Sequence, residues 1–311
     1  MTKFKYAFDD NKRYHTWNYY LRNTFGEKVF KVSLNGGFTC PNLDGKVSRG
    51  GCTYCSNSGS GDFAGNPASP LSEQFNEIKA MMHKKWPNAK YIAYFQAYTN
   101  TYAPLNVLKD KFEEALSFEN VIGLSISTRP DCLEDDILKY LDSVNKRCDL
   151  WIELGLQTIN NSTADYIRRG YPLSVYDEAV SNLLSIGIAP VVHMIIGLPH
   201  ETISDYIATA RYIADSGASG IKISLLHILK DTDLYDDYCK GLFKALTMDE
   251  YLAAIGAILP VLPKNMVIHR LTGDGPKNIL AAPLWTADKK RVLNTLSHYL
   301  KENMIYQGND L

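Results

Sequence analysis

The sequence lacks what several common classes of protein require. Six cysteines in 311 residues are too few for the disulfide framework of a small secreted module. No apolar run approaches the ~20 residues that a membrane-spanning helix needs. Residues 1–25, MTKFKYAFDDNKRYHTWNYYLRNTF, carry no apolar segment of the kind found in a secretory signal. These absences set the expectation of a reducing cytoplasm and no membrane partner. An excess of one charge is also missing. The net charge is −1, so no overall basic field announces a nucleic acid, although a local basic patch is still allowed. There is no repeat of roughly 20–50 residues and no low-complexity tract.

What is there is ordinary in amount and regular in pattern. Apolar residues make up 45% and charged residues 22%, the balance of a globular chain with a large core. Seven apolar stretches read as strands: 29–35, 90–96, 121–128, 149–156, 188–197, 220–227 and 265–272. Stretches 71–86, 104–117, 133–145, 162–169, 173–187 and 201–216 read as helices. This alternation predicts βαβ units and a parallel sheet. The strands are apolar nearly throughout, as expected when both faces are covered. Right-handed crossovers let such a run curl toward a barrel. Asn160, Asn161 and Ser162 each offer a helix cap, and Ser162 with Asp165 and Ser174 with Asp177 have capping-box spacing. Beyond residue 228 the pattern changes: ILKDTDLYDDYCKG is polar and irregular, then 247–259 and 287–303 read as amphipathic helices. Three parts are expected: an aromatic-rich N-terminal extension (1–27) packed on the barrel, a barrel region (28–232), and a mostly helical C-terminal extension (233–311) with a capping strand and loop.

The chemistry concentrates in residues 36–61, GGFTCPNLDGKVSRGGCTYCSNSGSG. Cys52 and Cys55 form a C-x₂-C pair, and eleven residues separate it from Cys40. A structural zinc site wants four protein ligands, usually from two such pairs. A cubane [4Fe–4S] cluster usually takes four thiolates, and three leave one iron open. S-adenosylmethionine (SAM) can chelate that iron through its amino and carboxylate groups, and the chemistry then belongs to the cofactor. From the cysteines alone, an iron–sulfur site, a zinc site and coincidence all stay open. Tyr54, just before the last cysteine, could shield a cluster or touch an adenine.

Several further motifs appear in order along the chain. They are GFTCPNLDGKVSRGGCTYC (37–55), AYFQAYTNTYAPL (93–105), STRPDCL (127–133), ELGLQT (153–158), IRRGY (167–171), HMIIGLPHET (193–202) and RLTGDGPKNILAAPLW (270–285). Together they resemble the YtqA/YhcC-type proteins of the radical SAM superfamily, relatives of the radical SAM domain of the Elongator catalytic subunit. The superfamily's usual first cysteine gap is three residues, and a gap of eleven is the arrangement of this one family. The resemblance implies an α/β fold built as a partial (β/α)6 TIM-like barrel. It implies a [4Fe–4S] cluster on Cys40, Cys52 and Cys55, with SAM on the open iron. By motif, Gln96 or the backbone of 96–99 would hold the SAM amino group, and Ser125 and Ser127 would face the cofactor. Glu153 and Gln157 would bind the ribose, and Arg169 the SAM carboxylate, a charge-assisted bond. His193 lies in the strand before the GLP turn, and the backbone at Ile196 would meet the adenine. Arg270, Asp274 and Lys277 would meet substrate. The implied activity is conversion of 5-carboxymethylaminomethyluridine toward 5-aminomethyluridine at the wobble position of tRNA, through a 5′-deoxyadenosyl radical. The implied partners are the tRNA anticodon region and an electron donor such as flavodoxin or ferredoxin. No residue receives a catalytic role at this stage.

Plainer readings stand beside these. Glu153 could be half of an ion pair inside the barrel. Arg168 and Arg169 could complement a helix C-terminus, with Gly170 at C′. His193 and His227 could be satisfied core histidines. Cys132, Cys148 and Cys239 read as inert small residues. The 270–285 loop could merely cover the barrel's open edge, and the basic stretches 83–86 and 289–291 could be solvated faces rather than phosphate contacts. Two other functions are compatible: a radical SAM enzyme acting on another RNA or a small metabolite, and a zinc-stabilised α/β binding protein.

Overall fold

The structure is a computed structural model and describes residues 8, 10–84 and 86–310. Part of the expected N-terminal extension (1–7 and 9) and Lys85 of the basic stretch 83–86 lie outside the described residues. Seven strands form one sheet: β1 (Val29–Leu34), β2 (Lys90–Phe95), β3 (Val121–Thr128), β4 (Asp149–Gln157), β5 (Val191–Ile196), β6 (Gly220–Leu225) and β8 (Val267–Arg270), in that order. The strands follow chain order, and a helical segment separates each of the first six from the next. This is the expected partial (β/α)6 barrel order, wound by successive βαβ units. β7 (Ile228–Leu229) and β9 (Leu280–Ala282) form a separate antiparallel pair. Among the described residues, no helix is long and apolar enough to cross a membrane.

The chain separates into two compact units. The first comprises residues 21–156 and 168–192. In it β1, β2, β3 and β4 pair in parallel, with Val29 opposite Lys90, Ile92 opposite Gly123 and Ser127 opposite Glu153. The last six residues of β3 are all buried, which explains the absence of alternation in VIGLSIST: helices cover one side and the barrel interior the other. Phe112 of helix Leu105–Leu116 is fully buried and meets Phe95 edge-on, ring centroids 4.8 Å apart. Cores of this kind lose about 3–5 kcal/mol when a buried phenylalanine is cut to alanine.

The second unit comprises residues up to Tyr20, 157–167 and 193–311. Here β6 pairs in parallel with β8. The N-terminal segment lies along β8: Ile268 N donates to His15 O at 2.8 Å, and Trp17 stacks on His269 at 4.0 Å. Helix Asn161–Tyr166 is capped by Asn160, which accepts from Ser162 N and Thr163 N. Neither expected capping box forms: Ser162 lies inside the helix that Asn160 caps. In the first unit, Pro172 holds the extended cap position before helix Leu173–Ser185, so Ser174 is already inside that helix. Capping boxes occur instead at Thr202/Asp205 and Thr247/Glu250. The polar stretch 228–241 is more regular than expected, holding β7 and helix Asp233–Cys239.

Candidate functional site

The cysteine loop begins where β1 ends. Cys40 precedes a single helical turn, Pro41–Asp44, and the chain returns through Gly45 (φ +100) toward Cys52. All three cysteines are free thiols. Cys52 and Cys55 share a hydrogen bond, and Cys40 lies within electrostatic reach of Cys55. The Cys52 thiol is pulled down to about 6, chiefly by the Cys55 hydrogen bond, with Asn42, Arg129 and Tyr54 helping against burial. The Cys55 thiol is pushed well up, by its hydrogen bond to Cys52 and by burial. Burial raises the Tyr54 phenol, and the neighbouring Cys52 and Cys55 add to the effect. One thiol that ionises readily beside two others is the donor chemistry an iron–sulfur cluster requires, because the ligand is the thiolate.

Asn42 anchors this loop. Its side chain is fully buried, and its amide donates to Arg168 O at 2.7 Å, to Arg169 O at 3.1 Å and to Cys52 Sγ at 3.4 Å. Hydrogen bonds to ligand sulfur of this kind tune a cluster. Gly170, at φ +82, makes the approach possible: a Cβ there would stand 2.5 Å from Asn42 Oδ1 and 2.9 Å from Val47 Cγ1. Gly170→Ala is therefore expected to destabilise the protein by about 1–3 kcal/mol and to lower cluster content on reconstitution. Urea titration and iron analysis check both, and a variant with wild-type stability would refute the anchoring role. Gly59 (φ +54) leaves equal closeness for Tyr98, whose Cδ1 would lie 2.1 Å from an added Cβ.

Around the loop, Gln96 Nε2 donates to Ser60 O at 2.8 Å and Tyr98 N to Gly59 O at 2.7 Å, so the 96–99 stretch braces the segment after Cys55. Arg169 is 3% exposed, and its guanidinium donates to Tyr171 O at 3.1 Å and Leu156 O at 3.4 Å. Arg129, given no role by the sequence, joins the site. It grips Asp131 in a two-pronged pair (2.9 and 2.7 Å) and donates to Arg169 O at 2.8 Å. Both guanidinium groups lie over the Tyr171 ring, at 5.1 Å for Arg129 and 4.7 Å for Arg169. The Arg-Pro-Asp run of STRPDCL was the available signal. Two cations are thus fixed near the thiol loop, and Arg129 contributes to the lowered Cys52.

Glu153 sits elsewhere in the same unit. It is four residues before the end of β4, about 13 Å down the strand at roughly 3.3 Å per residue. Its carboxylate is fully buried and forms an ion pair with Lys31 of β1. It also accepts from Ser125 Oγ at 2.6 Å and Tyr94 hydroxyl at 3.2 Å, and Tyr94 is 2.8 Å from Ser127 Oγ. The ion-pair reading of Glu153 is what the structure places here. Lys31 and Tyr94 were not singled out in the sequence, because their partner lies 122 and 59 residues away.

In the second unit, Gln157 ends β4 with φ +69, a strained value for glutamine. Ile196 ends β5, with its carbonyl accepting from Leu226 N at 2.9 Å, and Gly197 N donates to the Tyr206 hydroxyl at 3.0 Å. His193 is a partly buried residue of β5. Arg270 donates to Ser224 Oγ at 2.7 Å, Asp274 forms an ion pair with Lys289, and Lys277 is exposed. Gly273 and Gly275 flank the His227 ring, which an added Cβ would approach to 2.9 Å at either position. Burial, then Arg270, pulls His227 down to about 4, so it is a neutral, packed histidine at neutral pH.

The donor set fits a [4Fe–4S] cluster: three free thiols on one loop, one readily ionised, with an amide aimed at sulfur and cations nearby. A lone zinc ion fits less well. Among the described residues, no group of three or more His, Cys, Asp or Glu side chains converges as a single metal ion requires, whereas a cubane spreads its thiolates over separate irons.

Comparison with known proteins agrees. The Radical SAM superfamily profile matches residues 47–213, and the Radical_SAM C-terminal domain profile matches residues 218–302. The chain is 50% identical to "Uncharacterized protein YtqA" of Bacillus subtilis over 96% of its own length and 92% of that protein. It is 32% identical to "Protein YhcC" of Escherichia coli over 94% of its own length and 93% of that protein. A tRNA uridine(34) acetyltransferase of Methanocaldococcus jannaschii is 26% identical over 51% of this chain and 29% of its own length. The archaeal Elp3 structure from Methanocaldococcus infernus superposes with a TM-score of 0.68 at 18% identity, covering 90% of this chain and 64% of that one. A family profile over more than half of the chain and a relative at half identity along nearly all of it lead to one family: this chain belongs to the radical SAM superfamily, as a YtqA/YhcC-type enzyme of a family that uses a [4Fe–4S] cluster and S-adenosylmethionine.

Proposed function

We propose that this enzyme modifies the wobble uridine of tRNA, carrying 5-carboxymethylaminomethyluridine toward 5-aminomethyluridine. The observation that supports the substrate most is the likeness to a tRNA uridine(34) acetyltransferase over half the chain, together with the fold shared with archaeal Elp3 along 90% of it. In this reading Cys40, Cys52 and Cys55 hold the cluster, and Asn42 and Arg129 stabilise the thiolate form of Cys52. In the first unit Gln96, Ser127 and Arg169 are offered to SAM and Tyr54 shields the cluster; in the second unit Gln157, His193 and the backbone at Ile196 are the residues that the family resemblance offers to SAM. The ribose role of Glu153 requires its carboxylate to share itself between Lys31 and the ligand. When bound, the cluster and SAM would supply hydrogen-abstracting radical chemistry, and the net conversion would remove the carboxymethyl group and leave the aminomethyl group for a separate methyltransferase. Arg270 and Lys277 are cations offered to the RNA, and Asp274 holds the loop through Lys289. The base must leave its stack to react, as in an anticodon loop whose bases splay outward. The work is done in the cytoplasm, with an electron donor supplied by the cell.

Nucleoside analysis of bulk tRNA from a deletion strain tests this. The 5-aminomethyl product and its methylated descendant are expected to fall by at least tenfold while the carboxymethylaminomethyl precursor accumulates. An unchanged profile would reject the tRNA assignment and direct attention to another RNA or a small metabolite.

A further inference from the structure

The eleven residues between Cys40 and Cys52 form a small structure of their own. Pro41–Asp44 makes one helical turn, Gly45 reverses the chain, and the backbones of Asp44 and Arg49 pair antiparallel. Val47 N donates to Pro41 O at 2.8 Å and Gly51 N to Asn42 O at 2.9 Å, closing the loop on itself. Its roots, Pro41 and Asn42, are buried. Its crown is not: Leu43 and Val47 are each 43% exposed, and Lys46 and Arg49 beside them are exposed too. Its only carboxylate, Asp44, already accepts from Lys46 N at 3.1 Å. An ordered knob with two aliphatic tips and two cations is therefore tethered at both ends by cluster ligands.

We propose that this knob is the docking surface for an acidic one-electron carrier protein that reduces the cluster. Three observations select that occupant. The knob is bounded by two of the three cysteines, so a carrier seated on it stands next to the group it must reduce. Lys46 and Arg49 complement an acidic partner and would steer its approach. The aliphatic tips Leu43 and Val47 supply an apolar centre flanked by cations, the make-up of a protein–protein contact, and Lys46 lies over the Tyr102 ring at 5.1 Å. The step moves one electron: the carrier is oxidised by one, the cluster is reduced by one, and no bond forms or breaks. The inference rests on family membership and is independent of the RNA substrate.

The test uses the reconstituted full chain and a flavodoxin of net negative charge. Binding is read by titration at several salt concentrations, and cluster reduction by anaerobic stopped-flow absorbance. Lys46→Glu with Arg49→Glu is expected to weaken flavodoxin binding about tenfold or more and to remove most of its salt dependence. Reduction by flavodoxin should slow in step, with reduction by dithionite unchanged. Leu43→Ser with Val47→Ser should weaken binding while keeping the salt dependence. Wild-type flavodoxin binding in both double variants would overturn the proposal. So would charge reversal that weakens tRNA binding while sparing flavodoxin, which would make the knob an RNA surface.

Discussion

Replacing Cys52 by alanine is expected to abolish the cluster and all SAM cleavage while leaving the fold nearly intact. The loop that holds Cys52 is built by backbone hydrogen bonds which the thiol does not make: Leu43 N to Cys40 O at 2.8 Å, Val47 N to Pro41 O at 2.8 Å and Gly51 N to Asn42 O at 2.9 Å. The residue is partly buried and lies outside the packed core. Its removal takes away weak sulfur contacts, to Asn42 at 3.4 Å and Arg168 O at 3.5 Å, and the hydrogen bond to Cys55, so the stability change should stay within about 1–2 kcal/mol. The chemical effect is total, because a cluster with two protein thiolates has lost a third of its anchors. Iron and acid-labile sulfide should fall to background, and 5′-deoxyadenosine should become undetectable. A structural zinc site behaves oppositely: its metal supplies folding free energy, and losing one ligand unfolds the protein. Urea titration of Cys52→Ala beside metal analysis therefore separates the two accounts.

The second large effect belongs to the buried pair of Lys31 and Glu153. The Lys31 side chain keeps 17% of its exposure and Glu153 keeps none. Lys31→Met takes the lysine partner from a fully buried carboxylate that also accepts from Ser125 and Tyr94, and should cost about 3–5 kcal/mol. Glu153→Leu should cost less, because Lys31 can reach water and still bonds to Ser125 Oγ at 3.1 Å. The Lys31→Met, Glu153→Leu double variant should recover most of the loss, since an apolar pair of similar volume often replaces a buried ion pair at little cost. Denaturant titrations of all four proteins give the coupling. Additive single losses would mean that the two side chains do not depend on each other. A raised KM for SAM in the double variant, despite restored stability, would assign the carboxylate to the ribose as well.

The contrast between these two sites explains how much the sequence disclosed. The cysteine loop stood out because its chemistry is local, within a stretch of sixteen residues, Cys40 to Cys55; its spacing left iron–sulfur, zinc and coincidence open, and the family resemblance pointed to the cluster. The strands were legible because burial on both faces writes a continuous apolar run, so β1 through β6 and β8 fall within two or three residues of expectation. Glu153 stood out as a charge in an apolar strand, but its partner could not be read, because Lys31 looks like an ordinary lysine until β1 and β4 share a sheet. Asn42 and Arg129 were invisible for the same reason: the groups they hold are segments distant in sequence. The capping box expected at Ser174 gave way to Pro172, which holds the cap position before Leu173. Helix Asp233–Cys239 was obscured by its acidic, polar composition. In Arg169, expected to meet a SAM carboxylate, the structure displays a buried guanidinium serving backbone carbonyls, an arrangement that fixes the 168–170 turn under Asn42.

The central claim is that three side chains hold a cubane and leave its fourth iron for SAM. Electron paramagnetic resonance of the anaerobically reconstituted, reduced protein, recorded before and after adding SAM, tests it most directly. The account predicts about four irons and four sulfides per chain and a reduced-cluster spectrum that changes when SAM is added. A spectrum indifferent to SAM, or a protein that retains zinc and no acid-labile sulfide, would contradict it.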